Sequence, residues 1–70
     1  MKREVKLLNV EAERIKHEMS RKELCDLMGV ALRTYQNWLS GKSEMPLSKL
    51  LILAETWGKS LDYLLGLNEN

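Results

Sequence analysis

The sequence predicts an all-α protein, a compact bundle of five short helices. Three observations carry that expectation. Apolar residues recur at helical spacing almost throughout the 70 residues. The glycines at 29, 41, 58 and 66 each fall where one such run ends or gives way to the next. No stretch reads as a strand, a repeat or a low-complexity segment.

The totals agree with one small domain. Seventy residues lie near the lower end of what folds without disulfides or a metal. An apolar fraction of 44% and a charged fraction of 30% suit a globular, soluble chain. The single cysteine, Cys25, allows no intrachain disulfide, which fits a reducing cytoplasm. No run approaches the roughly 20 apolar residues of a membrane span. The opening M-K-R-E-V-K-L-L-N-V lacks the apolar core of a signal peptide. A cytoplasmic protein without membrane contact is expected.

The first helix is read from Leu8, Ala12, Ile15 and Met19, one stripe at i, i+4, i+7 and i+11. Its start stays open: Asn9 is its N-cap, or it begins near Glu4 and runs through. Residues 1–8 are accordingly an N-terminal arm or the start of this helix, 9–67 the domain, and 68–70 a tail. The second helix begins at Arg21 because Ser20-Arg21-Lys22-Glu23 is a capping box. Leu24, Leu27 and Met28 are its inward residues, with the small Cys25 at a helix crossing. Gly29 then permits a left-handed turn at little cost.

The third helix, 32–40, starts two residues after Gly29, giving two short helices and a tight turn: a helix-turn-helix unit. On a wheel of 100° per residue, Ala31, Tyr35 and Trp38 fall within about 40° of one direction, the core face. Arg33, Gln36, Asn37 and Ser40 cluster opposite, within about 100° of one another. Leu32 and Leu39 share a flank, Gly41 follows as the C′ residue, and Ala31 is a poor N-cap. A polar loop over 42–45 leads to Pro46, suited to the first turn of a fourth helix. Leu47, Leu50, Leu51, Ala54 and Trp57 form its expected core stripe, widened by Ile52 and Leu53. Gly58 ends it, and Ser60 caps a short fifth helix over 61–65.

Charge is polarised along the chain. The formal net charge is only +1. From Arg14 to Lys42, however, six basic residues (14, 16, 21, 22, 33, 42) face three acidic ones (18, 23, 26). From Ser43 onward, two basic residues (49, 59) face four acidic ones (44, 55, 62, 69). The positive half carries the turn unit, which is where contact with a polyanion needs it.

Four motifs in order resemble one family: R-I-K-H-E-M-S at 14–20, E-L-C-D-L-M-G-V at 23–30, T-Y-Q-N-W-L-S-G-K at 34–42, and L-L-I-L-A-E-T-W-G-K-S-L-D-Y-L-L-G-L at 50–67. Together they resemble the lambda-repressor-like, Cro/cI-type helix-turn-helix domains of phage and bacterial regulators, over roughly residues 10 to 67. The resemblance implies a sequence-specific transcriptional regulator acting on double-stranded operator DNA, of a kind found in prophages. The physical fit is direct, because the major groove admits one α-helix and carries a distinct donor and acceptor code. Arg33 can bind a guanine bidentately, Gln36 or Asn37 an adenine, and Leu32 can pack on a thymine methyl. The resemblance places phosphate contacts at Arg21, where many relatives have glutamine, and at Ser40, Gly41 and Lys42. Lys22 reads as solvated. Lys2, Arg3 and Lys6 read as a solubilising terminus, with a backbone-reaching arm as the alternative.

Two departures from the family pattern stand out. Many relatives carry, at the position of Arg14, an arginine paired with a glutamate at the position of Leu39, and here that glutamate is missing. Arg14 is then free for phosphate, or pairs with Glu18 at i+4. Lys59 replaces a usual apolar residue between helices four and five.

A homodimer on two half-sites is expected, with Ile52, Leu53, Leu64, Leu65 and Leu67 as its surface. The alternative is a protein-binding module of the antitoxin or anti-repressor kind. An enzyme is not expected. His17, a solvent-facing helix-end residue, and Cys25, a core residue, are each the only one of their kind, and no glycine-rich phosphate loop is present. No cofactor, metal or small-molecule ligand is expected.

Overall fold

The computed structural model describes residues 8–66. Among them are five helices: α1 (Leu8–Lys16), α2 (Arg21–Met28), α3 (Leu32–Ser40), α4 (Leu47–Trp57) and α5 (Leu61–Leu65). Residues 1–7 of the expected arm lie outside the described residues, as do the expected tail over 68–70 and Leu67. The four helices after α1 match the expected elements. Pro46 stands one position earlier than expected, as the N-cap of α4. Asn9 is not an N-cap. It lies inside α1 and donates from Nδ2 to the Tyr63 carbonyl on α5, 2.6 Å away.

One core joins all five helices: Val10 of α1, Leu24, Cys25 and Met28 of α2, Tyr35 and Trp38 of α3, Leu50, Leu53 and Trp57 of α4, and Leu64 of α5. Each fully buried large side chain contributes about 1.5–3 kcal/mol relative to exposure. Helix α4 packs on α5 and α2, α1 on α5, and α2 on α3. The α2–α3 turn is built as its sequence requires. Ser20 Oγ accepts from Glu23 N at 3.0 Å and Ser20 N donates to Glu23 Oε1 at 2.7 Å, closing the capping box. At the other end Gly29 takes φ +73°, and Val30 N reaches back to the Cys25 carbonyl at 3.0 Å. That pairing is a Schellman closure, which needs a left-handed residue at this place.

Helix α1 faces the other way from its expected stripe, although Met19, beyond the end of the helix, packs against the core as expected. Ala12 is exposed and Ile15 is 63% exposed, while Val10 and Glu13 are buried; the Leu8 side chain lies outside the described residues. The misreading has a cause: a carboxylate occupies an inward position, and a charge reads as surface. Glu13 is 1% exposed because partners surround it. Tyr63 Oη donates to its Oε2 at 3.0 Å, with Lys16 Nζ at 3.5 Å and Lys59 Nζ at 3.9 Å. His17 Nε2 stands 3.3 Å from Oε1, without hydrogen-bond alignment. His17 is exposed as expected, yet its ring also stacks on Trp57 at 5.6 Å.

Helix α4 keeps Leu50, Ala54 and Trp57 of its expected stripe toward the core but is rotated away from Leu47 and Leu51. Leu53 is fully buried, whereas Leu47 is 58% and Leu51 45% exposed. Leucines nearly encircle this helix, so spacing alone fits two overlapping stripes. Lys49 marks the rotation adopted, donating from Nζ to the Met28 carbonyl at 2.9 Å across the α2–α4 contact. Two smaller corrections belong to the turn unit. Leu27 and Ala31, both expected inward, are exposed, since each sits at the edge of its helix's apolar arc.

Candidate nucleic-acid interface

The candidate face is the outer side of α3 with the start of α2. Tyr35 is fully buried and Trp38 nearly so, their rings meeting edge to face at 6.2 Å. These two anchors fix the rotation of α3 and turn its other side outward. Arg33, Gln36 and Ser40 are exposed, Leu32 is 40% exposed, and Asn37 is half-buried. No described residue pairs with the side chains of Arg33, Gln36, Asn37 or Lys42. Their donors and acceptors therefore point to solvent unpaired. A bidentate base contact uses groups in that condition.

The end of α3 is more committed. Ser40 Oγ donates to the Asn37 carbonyl at 3.1 Å, and Gly41 N to the Trp38 carbonyl at 3.2 Å. Lys42 N and Ser43 N also converge on the Asn37 carbonyl, at 2.9 and 3.3 Å. The donors of Ser40 and Gly41 thus close the helix, and the Lys42 ammonium is the group left available there. Lys22, as expected, is solvated, and it pairs with Asp26 at 3.0 Å between two exposed side chains. Such a pair contributes only about 0.3–0.5 kcal/mol.

At the start of α2, sequence reasoning missed the organising group. Glu11, on α1, accepts from Arg14 Nη2 at 2.9 Å and Nε at 3.1 Å, from Arg21 Nη2 at 3.2 Å, and from the Tyr35 hydroxyl. Arg14 also donates from Nη1 to the Met19 carbonyl at 2.6 Å. Arg14 is therefore neither free nor paired with Glu18. The pairing that the resemblance implies for an acid at the position of Leu39 is made here by an acid on α1 itself, and Leu39 packs against the core. Burial alone would raise the Glu11 pKa. The hydrogen bonds from Arg14, Tyr35 and Arg21 outweigh it and hold the carboxyl below its usual range. Burial first, then the bond to Glu11, push the Tyr35 phenol well above its usual value. The signal for Arg14–Glu11 was present, since i, i+3 pairs of opposite charge meet on a helix. Nothing local marked the reach of Tyr35 and Arg21 to the same carboxylate.

The expected dimer surface does not hold together as one patch. Leu53 and Leu64 are fully buried in the core, Ile52 and Leu65 are half-buried, and Leu67 lies outside the described residues. The spacing that marked Leu53 and Leu64 as surplus apolar residues is the spacing of the core stripe itself. Among the described residues there is no group of three His, Cys, Asp or Glu side chains placed to hold a metal, and no helix long and apolar enough to cross a membrane.

Comparison with known proteins agrees with this geometry. Residues 10–64 match the family model described as helix-turn-helix. A curated Bacillus subtilis (strain 168) protein, named as the uncharacterized HTH-type transcriptional regulator YobD, is 33% identical over 54 residues. The match takes in 77% of this chain and 48% of that protein, so the chain spans about half the length of the curated relative. No solved structure matches the chain significantly. With the match running from α1 into α5 and through the α2–turn–α3 unit, the chain belongs to the helix-turn-helix family, in the lambda-repressor-like, Cro/cI-type form that its motifs resemble.

Proposed function

We propose that the chain is a sequence-specific DNA-binding transcriptional regulator of the phage repressor or Cro type, which lays α3 in the major groove of an operator. The observation that carries the reading is the unpaired polar face of α3, Arg33, Gln36 and Asn37, held outward by buried Tyr35 and Trp38. Arg33, Gln36 and Asn37 read base edges and Leu32 meets a thymine methyl; Arg21 and Lys42 contact phosphates, with Ser40 and Gly41 lying beside the same backbone. Bound at an operator in the cytoplasm, it acts by occupying the site, with no catalytic step. Two copies occupy half-sites one DNA turn, about 34–36 Å, apart. The apolar groups a second copy would cover on α4 are Leu47, Leu51 and half-buried Ile52.

Those exposed leucines also favour a second reading, a module whose main partner is another protein. The two readings diverge in a gel-shift series on an operator selected from random DNA, at stated salt. Arg33→Ala and Asn37→Ala are expected to cost about 1–3 kcal/mol each on the selected site and little on random duplex. Lys42→Ala weakens both and lowers the salt slope by about one unit. Unchanged discrimination in Arg33→Ala and Asn37→Ala removes the assignment of the reading face. Sedimentation of the complex on a palindromic site checks for the second copy.

A further inference from the structure

The two arginines around Glu11 are held differently. All three guanidinium nitrogens of Arg14 are engaged, two on Glu11 and one on the Met19 carbonyl, and its side chain is 14% exposed. Arg21 gives Glu11 only Nη2, at 3.2 Å, and its side chain is 47% exposed. No described residue takes its Nε or Nη1. With the Tyr35 hydroxyl of α3 the donors to Glu11 number four, from α1, α2 and α3, and they saturate it, since a carboxylate offers about four acceptor positions. It is also neutralised, because Glu11, Arg14 and Arg21 together carry +1.

We propose that Glu11 is a positioning residue of the DNA interface. Its carboxylate, anchored by Arg14 and by the Tyr35 hydroxyl of α3, holds the Arg21 guanidinium at the start of α2 through Nη2 and leaves Nε and Nη1 unengaged for a phosphate. This rests on the reading of Arg21 as a phosphate contact. An arginine unheld at a helix start must surrender its rotamer freedom when it binds, and a pre-positioned one has already done so. Because Tyr35 stands on the reading helix, the same carboxylate sets the phosphate anchor in register with the base-reading face.

The proposal predicts a sign opposite to that of simple electrostatics. Glu11→Gln removes a negative charge beside DNA, which by charge alone tightens binding. Loss of positioning weakens it instead, by about three- to ten-fold, the cost of ordering one long side chain. The test is a double-mutant cycle of Glu11→Gln and Arg21→Ala, measured by fluorescence anisotropy on a selected operator and on a random duplex, with folding checked by circular dichroism. Arg21→Ala is expected to weaken both and to lower the salt slope by about one unit. In the Arg21→Ala background, Glu11→Gln is expected to weaken binding no further, leaving only the gain from the removed charge. If Arg21→Ala leaves affinity and slope unchanged, the phosphate reading falls and this proposal falls with it. If Arg21→Ala behaves as expected but Glu11→Gln on its own is neutral or tightens binding, or costs the same in both backgrounds, only the positioning role is overturned. Should Glu11→Gln not fold, Arg21→Lys takes its place: it keeps the charge but replaces the planar fork, whose separate nitrogens serve carboxylate and phosphate, with a single unoriented ammonium. The expected result is about three- to ten-fold weaker binding at an unchanged salt slope, and wild-type affinity overturns the proposal.

Discussion

Single residues decide how the helix ends in this chain are closed, and two of them are poor choices for stability. Glu18 ends α1 at φ +59°, with Glu18 N on the Ile15 carbonyl at 2.9 Å and Met19 N on the Arg14 carbonyl at 3.0 Å. That is the closure Gly29 makes after α2, built with a side chain that disfavours the left-handed region by about 1–2 kcal/mol. Ala31 opens α3 with no side-chain hydrogen bond, where a serine hydroxyl typically adds ~1 kcal/mol. Glu18→Gly should therefore raise stability by about 0.5–1 kcal/mol, once the added freedom of the unfolded glycine is subtracted, and Ala31→Ser by ~1 kcal/mol. The two sites share no partner, so their effects should add, lifting Tm by roughly 6–16 °C in a domain of this size. Thermal melts of both singles and the double check this; a destabilised Glu18→Gly would mean that the Glu18 side chain holds something its backbone strain conceals.

Elements were legible where one signal sufficed and illegible where two surfaces competed. The α2–turn–α3 unit could be read because the Ser20–Glu23 box, Gly29 and the Tyr35–Trp38 spacing each specify one local geometry. The outward placement of Arg33 and Gln36 then follows from the wheel. The rotations of α1 and α4 could not be read, for opposite reasons. In α1 the inward face includes Glu13, a charge whose burial depends on Tyr63 and Lys59, some 50 and 46 positions along the chain, and no local pattern announces such partners. In α4 apolar residues lie nearly all round, and the rotation is fixed by contacts with other elements. Lys49 is one of them, and its bond to the Met28 carbonyl caps α2 while clamping α4 against the turn unit. Lys49→Met keeps the apolar stem but removes that donor. The expected loss is about 1.5 kcal/mol in urea unfolding, at the low end for a charged hydrogen bond because the group is half-buried. A loss below about 0.3 kcal/mol would show that packing alone holds α4 in place.

For the whole molecule, one buried carboxylate, Glu13, one half-buried carboxylate, Glu11, and their phenol partners define the pH range in which the bundle is stable. Glu11 and Glu13 both sit below their usual value of 4.5: burial would raise each, but the bonds from Arg14, Tyr35 and Arg21 on one, and from Tyr63 with the charges of Lys16 and Lys59 on the other, outweigh it. Their folded pKa values are depressed, so the unfolded chain takes up protons first on acidification. The stability they confer is complete above pH 4.5 and is lost as pH falls through the lowered folded values. The alkaline side has the reverse sign. The Tyr35 phenol is raised by burial and by its bond to Glu11, the Tyr63 phenol by its bond to Glu13 and by burial, and the Cys25 thiol by burial. Groups with raised folded values confer stability that is complete below their usual values, 9.0 for the thiol and 10.0 for the phenols, and is lost as pH rises beyond them. Urea unfolding as a function of pH should then give a plateau between pH 4.5 and 9.0 with a fall on each side. Glu11→Gln should flatten the acid limb, and Tyr35→Phe the alkaline limb, each also lowering the plateau through loss of a charge-assisted hydrogen bond. The same carboxylate that anchors Arg21 would in this way set part of the acid limit of the fold. An acid limb of unchanged slope in Glu11→Gln would separate the two roles and leave Glu13 as its source.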